Sequence, residues 1–116
     1  MKFNSILIGS EDPKRLADYY TKLFGEPAMS DGTYDGWKIG EGFVAVGPHD
    51  QVKGRNAQPG RIMWNIESAD VKGDFAKLEA AGAKVVREPY SLGDPPTCIA
   101  TFADPDDNYF QLMTAM

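Results

Sequence analysis

The stretch FADPDDNYFQLM, Phe102–Met113, decides how the chain folds back on itself. Just before it, alternation puts Ile99, Thr101 and Ala103 on one face of a strand and Ala100 and Phe102 on the other. Asp104-Pro105-Asp106-Asp107-Asn108 then turns the chain, and Tyr109 to Met113 runs back. Proline fixes φ, while Asp and Asn tolerate positive φ and close turns through their own side chains. A β-hairpin is the expected result.

Working outward, the second half reads as strand, helix and three strands. Arg61–Glu67 is strand-like, and Asp70 caps a helix whose Val71, Phe75, Leu78 and Ala81 recur at helical spacing, closed by Gly82. Lys84–Arg87 is expected as a strand, Glu88–Pro96 as a loop, and Thr97–Ala103 and Asn108–Thr114 as the hairpin strands. The first half has the same order. Lys2–Gly9 alternates as a strand, with Phe3, Ser5 and Leu7 opposite Ile6 and Ile8. Asp12 and Pro13 open a helix with Leu16, Tyr19, Tyr20, Leu23 and Phe24 on one face, and Gly25 ends it. Short β runs follow around Glu26–Met29, Thr33–Ile39 and Gly42–Gly47. The expected organisation is one α+β domain of two βαβββ modules, residues 1–47 and 61–116, joined by a polar linker, 48–60.

Composition narrows the function classes. At 116 residues there is room for one modest domain. A net charge of −5 argues against nucleic acid as partner, because phosphate binding relies on clustered Lys and Arg. No apolar run approaches the roughly 20 residues that span a bilayer, and the N-terminus lacks the pattern of a signal peptide, so a cytoplasmic protein is expected. The single cysteine, Cys98, cannot form an internal disulfide and reads as a small buried hydrophobe rather than a reactive thiol.

Three stretches in order, Asp12–Gly25, Phe75–Pro89 and Ile99–Met113, give the chain a family resemblance. It resembles the vicinal oxygen chelate superfamily, the glyoxalase, bleomycin-resistance and extradiol-dioxygenase group, whose closing hairpin usually reads D-P-D-G-N before a strand carrying a metal-binding glutamate. Here Asp107 stands for the glycine and Gln111 for the glutamate. The resemblance implies a cup of curved mixed sheets with helices outside, a small molecule inside and a homodimer.

Carried over from that family, the four metal-ligand positions are Ser5, Ala45, Met63 and Gln111. Divalent ions take imidazole and carboxylate lone pairs; a hydroxyl, a methyl, a thioether and a neutral amide do not compete. The expectation is therefore no metal and no cofactor. The one histidine, His49, falls in the linker and reads as a surface residue.

Within the implied cup, alternation from Met63 brings Asn65 and Glu67 inward, and from Gln111 brings Tyr109 and Met113. Ser5 and Leu7 join from the first strand, with Trp37 or Tyr34 closing one side. Glu67 is the candidate for chemistry, since burial beside Met63 and Tyr109 would raise its pKa towards general-base range. Its plainer reading is a strand-end carboxylate, exposed or paired with Arg61 or Arg87. Three functions compete. The first is metal-free binding of a small, partly aromatic or cationic molecule, as in bleomycin-resistance proteins. The second is a metal-independent lyase or isomerase using Glu67 as base. The third is a metal-dependent lyase acting on a lactoylglutathione-like substrate, or a dioxygenase, against which the ligand positions argue.

Overall fold

The computed structural model describes residues 1–115; residue 116, the last of the expected second module, lies outside them. The chain divides into two compact units, one ending at Gly54 and one starting at Arg55. The first holds β1 (Ile6–Ser10), α1 (Pro13–Phe24), β2 (Met29–Ser30), β3 (Asp35–Ile39) and β4 (Gly42–Pro48). The second holds β5 (Trp64–Glu67), α2 (Val71–Ala80), β6 (Lys84–Leu92), β7 (Thr97–Ala103) and β8 (Tyr109–Met113). Each is a βαβββ module with a four-stranded mixed sheet, ordered β1-β4-β3-β2 in one and β5-β8-β7-β6 in the other. The fold is α+β. Among the described residues, neither helix is long and apolar enough to cross a membrane.

Both helices start by one device. Asp12 Oδ1 accepts from the Arg15 N–H at 3.2 Å, and Asp70 Oδ1 accepts from the Gly73 N–H at 3.0 Å. Two residues upstream of each cap a buried serine supports it. The Ser10 hydroxyl accepts from the Asp12 N–H at 3.0 Å, and the Ser68 hydroxyl from the Asp70 N–H at 3.1 Å. Each serine thus fixes the angle at which the chain leaves the first strand for the helix.

In the first module Leu16, Ala17 and Tyr20 of α1 are buried, as are Ile8, Val44, Val46 and Trp37 of the sheet. Tyr20 and Trp37 meet with ring centroids 6.0 Å apart. The Trp37 indole N–H donates to the Gly25 carbonyl at 2.8 Å, tying β3 to the end of α1.

In the second module one transverse row makes the core. Val85, Phe102, Phe110 and Trp64 are register partners across all four strands. Phe102 stacks on Phe110 at 5.4 Å and Trp64 on Phe110 at 5.1 Å, and Phe75 of α2 caps the row by stacking on Phe102 at 5.3 Å. Rings in such contact add to what their area contributes.

The closing hairpin forms as its sequence demands. Asp104 is fully buried, and its carboxylate accepts from the Asp106 and Asn108 N–H groups at 2.9 Å and from the Asn108 amide. Asp107, where the related pattern has glycine, takes φ +63.

Several strand boundaries depart from expectation: β2 is confined to Met29–Ser30 instead of Glu26–Met29, and β3 starts at Asp35 instead of Thr33. β1 and β5 begin later than Lys2 and Arg61, so Ser5 and Met63 precede the ladders instead of lying in them. Arg61 is held in a turn, its N–H donating to the Gln58 carbonyl. More consequentially, β6 continues through Glu88–Leu92, which the sequence reads as loop. Register shifts between Val85 and Arg87 and between Arg87 and Tyr90 absorb the residues that spoil the alternation. Pro89 is tolerated because β6 is an edge strand.

The polar segment 48–60 is tied down within each unit. Gly54 N–H and Lys53 both reach Glu11, while Asn56 N–H donates to the Asp106 carbonyl at 2.8 Å.

Phe110→Ala should cost about 3–5 kcal/mol in urea unfolding, because it removes the centre of the aromatic row. Asn65→Ala, one residue from Trp64 on the opposite face, should change stability by no more than about 0.5 kcal/mol.

Candidate functional site

The face of each sheet turned away from its own helix carries the side chains available to a ligand. In the second module the residues next to the aromatic row fall on this open face. Arg87, Thr101, Gln111 and Asn65 are register partners across β6, β7, β8 and β5. The Gln111 amide donates to the Thr101 hydroxyl at 2.9 Å, so the middle of this polar row is bonded to itself. Tyr90, Ile99, Met113 and Glu67 form the next row. The Arg87 guanidinium lies 3.6 Å above the centroid of the Tyr90 ring. Tyr109 pairs with Ala103 towards the hairpin end.

The open face of the first module is apolar. Leu7, Ala45, Gly36 and Met29 are register partners. The Phe43 ring lies across Gly36 and the Tyr34 ring across Gly47, where a Cβ would stand 2.3 and 2.1 Å from the ring carbons. Two absent side chains therefore seat two aromatic rings flat on the sheet. Asp31 fixes Tyr34 by accepting its backbone N–H at 2.7 Å and that of Thr33 at 2.9 Å. These two bonds, Tyr34 first, hold the Asp31 carboxyl below the ordinary carboxylate range. His49 packs against Gly9, whose Cβ would lie 3.0 Å from His49 Cβ.

Against these surfaces the sequence-based site divides. Asn65, Glu67, Tyr109, Gln111 and Met113 share one open face, and Leu7, 56% exposed, lies on the other. Ser5 and Met63 stand just ahead of the paired strands. Trp37 is a correction: it is 2% exposed and packs beneath α1, because Gly36 takes the open-face position in β3. Tyr34 is the aromatic residue that borders that face. Glu67 is exposed, so its own sheet does not provide the burial on which a general-base role depends. It pairs with neither Arg61 nor Arg87: Arg61 bonds Gln58 and Arg87 stacks on Tyr90.

Sequence reasoning passed over Phe43, Arg87 and Tyr90. Phe43 was within reach, two residues before Ala45 in an alternating strand. Arg87 and Tyr90 were not, since the bulges reset their faces.

The residues at the inherited ligand positions do not fit a divalent ion. Ala45 presents a methyl, Gln111 only a neutral amide carbonyl (its nitrogen donates to Thr101), Ser5 an exposed hydroxyl and Met63 a thioether. Among the described residues no three of His, Cys, Asp and Glu are grouped to hold a metal.

A groove of about 420 Å³ opens elsewhere in the second module, at the start of α2, beside Glu67, Asp70, Ser91, Cys98 and Thr114. Ser68, Asp70 and Thr114 in its lining serve the fold. Asp70 caps the helix, the Ser68 hydroxyl donates to Asp74 at 2.6 Å, and the Thr114 hydroxyl accepts from the Cys98 N–H at 3.0 Å.

The model of the family described as "Glyoxalase-like domain" matches residues 5–113. The chain belongs to this glyoxalase-like family. It is thereby a member of the vicinal oxygen chelate superfamily. No curated protein matches its sequence. A solved structure described only as a conserved domain protein has a TM-score of 0.80 at 19% identity, covering all of both chains. A glyoxalase-related enzyme from Fulvimarina pelagi has a TM-score of 0.73 at 18% identity, covering 99% of this chain and 89% of that one. A glyoxalase/bleomycin resistance protein/dioxygenase family enzyme from Burkholderia phytofirmans PsJN has a TM-score of 0.70 at 18% identity, covering 97% and 98%. At such identities the likeness is one of fold, and this glyoxalase-like chain must be read from its own side chains.

Gly47→Ala should displace the Tyr34 ring and cost about 1–3 kcal/mol by overpacking. Thermal unfolding checks the cost, and Tyr34 ring resonances in NMR check the displacement.

Proposed function

We propose that this glyoxalase-like protein binds a small organic molecule on its open sheet faces without a metal ion. One observation carries the reading: the positions where a metal-using relative would need ligands hold a hydroxyl, a methyl, a thioether and a neutral amide, while two aromatic rings are seated elsewhere on the first module's open face. Aromatic walls with a few polar groups are the make-up of small-molecule sites. On the first module's open face the rings of Tyr34 and Phe43 offer apolar contact; on the second module's, taken by itself, Asn65, Gln111 and Thr101 offer polar groups. The lyase or isomerase reading through Glu67 has less support, since that carboxylate is exposed in its own sheet.

The test is metal uptake set beside ligand-induced stabilisation. Chelator-treated protein offered Zn²⁺, Ni²⁺, Mn²⁺ or Fe²⁺ should retain far less than one ion per chain after dialysis, by elemental analysis. Small organic molecules extracted from the purified protein should raise its melting temperature when added back, and Phe43→Ala should diminish that rise. One ion per chain surviving dialysis would reject the reading.

The reading includes a homodimer in a cytoplasmic setting. Phe3, 83% exposed, Leu7 and Ile62, 77% exposed, leave large apolar side chains near the first strands of both modules, and β1 and β5 are sheet edges with unpaired backbone groups. Light scattering at micromolar concentration should give twice the chain mass; the mass of one chain would count against the dimer.

A further inference from the structure

We infer that the open face of the second module selects a small organic carboxylate, and that Arg87 is the residue that recognises it. The inference rests on the metal-free binding proposed above and names the ligand's chemistry.

Arg87 combines three properties. Its guanidinium is held in place by the Tyr90 ring at 3.6 Å, a cation–π contact that limits the side-chain freedom to be lost on binding. Among the described residues no carboxylate lies within ion-pair distance of it, and none of its N–H groups bonds to protein. The other nearby cations are engaged: Lys84 and Arg55 both pair with Asp107, at 3.2 and 3.6 Å. Arg87 thus keeps a planar fork of donors, the geometry that a carboxylate accepts in bidentate fashion.

The neighbouring groups suit the same ligand. Thr101, the register partner of Arg87, is 6% exposed, and Gln111 stands beyond it with its amide nitrogen already committed to the Thr101 hydroxyl. That hydroxyl has its own proton left to donate, towards an oxygen seated beside Arg87. Glu67 shares the face but belongs to β5, three strand spacings or roughly 14 Å from β6. That exceeds the Debye length of about 8 Å at physiological salt, so Glu67 does not neutralise the guanidinium. Glu88, the next residue along β6, makes no ion pair with the guanidinium among the described residues.

Three probes of one shape separate the possibilities: benzoate, benzamide and benzylamine, each titrated to millimolar concentration into ¹⁵N-labelled protein. Benzoate should shift the Arg87 Nε–H and the Gln111 side-chain amide resonances, with benzamide and benzylamine binding at least about tenfold more weakly. Arg87→Gln, on an exposed edge strand, should keep the fold and lose about tenfold or more in benzoate affinity. The inference is overturned, with metal-free binding left standing, if benzamide or benzylamine binds the open faces as tightly as benzoate. Unchanged benzoate affinity in Arg87→Gln overturns it equally. If none of the three moves an open-face resonance, both the carboxylate assignment and the binding reading fall.

Discussion

The stacked row Val85–Phe102–Phe110–Trp64 beneath Phe75 is the constraint on which the second module depends. Side chains in a sheet alternate between faces, so fixing which residues lie under the helix fixes which lie opposite. A slip of one residue would bury Thr101, Gln111 and Asn65 beneath α2 and turn two phenylalanines to the other face. The cost of burying amides and hydroxyls without partners, added to the lost ring contacts, forbids that slip. Stability and ligand-facing chemistry are therefore two consequences of one register.

The first module reaches a different face by the same rule. Its helix-side residues, Ile8, Val44, Val46 and Trp37, are large and buried. Three of its open-face positions are small: Ala45, Gly36 and Gly47. Small residues leave room for Phe43 and Tyr34 to lie flat, so the surface is apolar where the second module's is polar. Two copies of one topology thus present unlike chemistry. The copies share how each helix is launched, by a buried serine two residues ahead of an aspartate cap, and share little else.

Much of this was legible in the sequence. Asp12, Pro13, Asp70 and the Asp104–Asn108 turn have local chemistry that leaves few alternatives, and the helix and hairpin placements follow from them. The faces of β5, β7 and β8 followed from uninterrupted alternation. What failed was whatever local chemistry does not set. Trp37 looks like a pocket aromatic by type, but its face was decided by the register of β3 against β4 and by the carbonyl at the end of α1. The extension of β6 was hidden because Pro89 and two bulges break the period, and the break is permitted only at a sheet edge. Arg87 and Tyr90 were lost with it.

The partition of the second module into an aromatic face and a polar face is the claim everything functional rests on, and proton–proton NOEs read it directly. The account predicts NOEs from the Phe75 ring to Phe102, and from the Gln111 side-chain amide to Thr101, with none between Gln111 and Phe75. NOEs from the Gln111 amide to the Phe75 ring would invert the two faces and contradict the account.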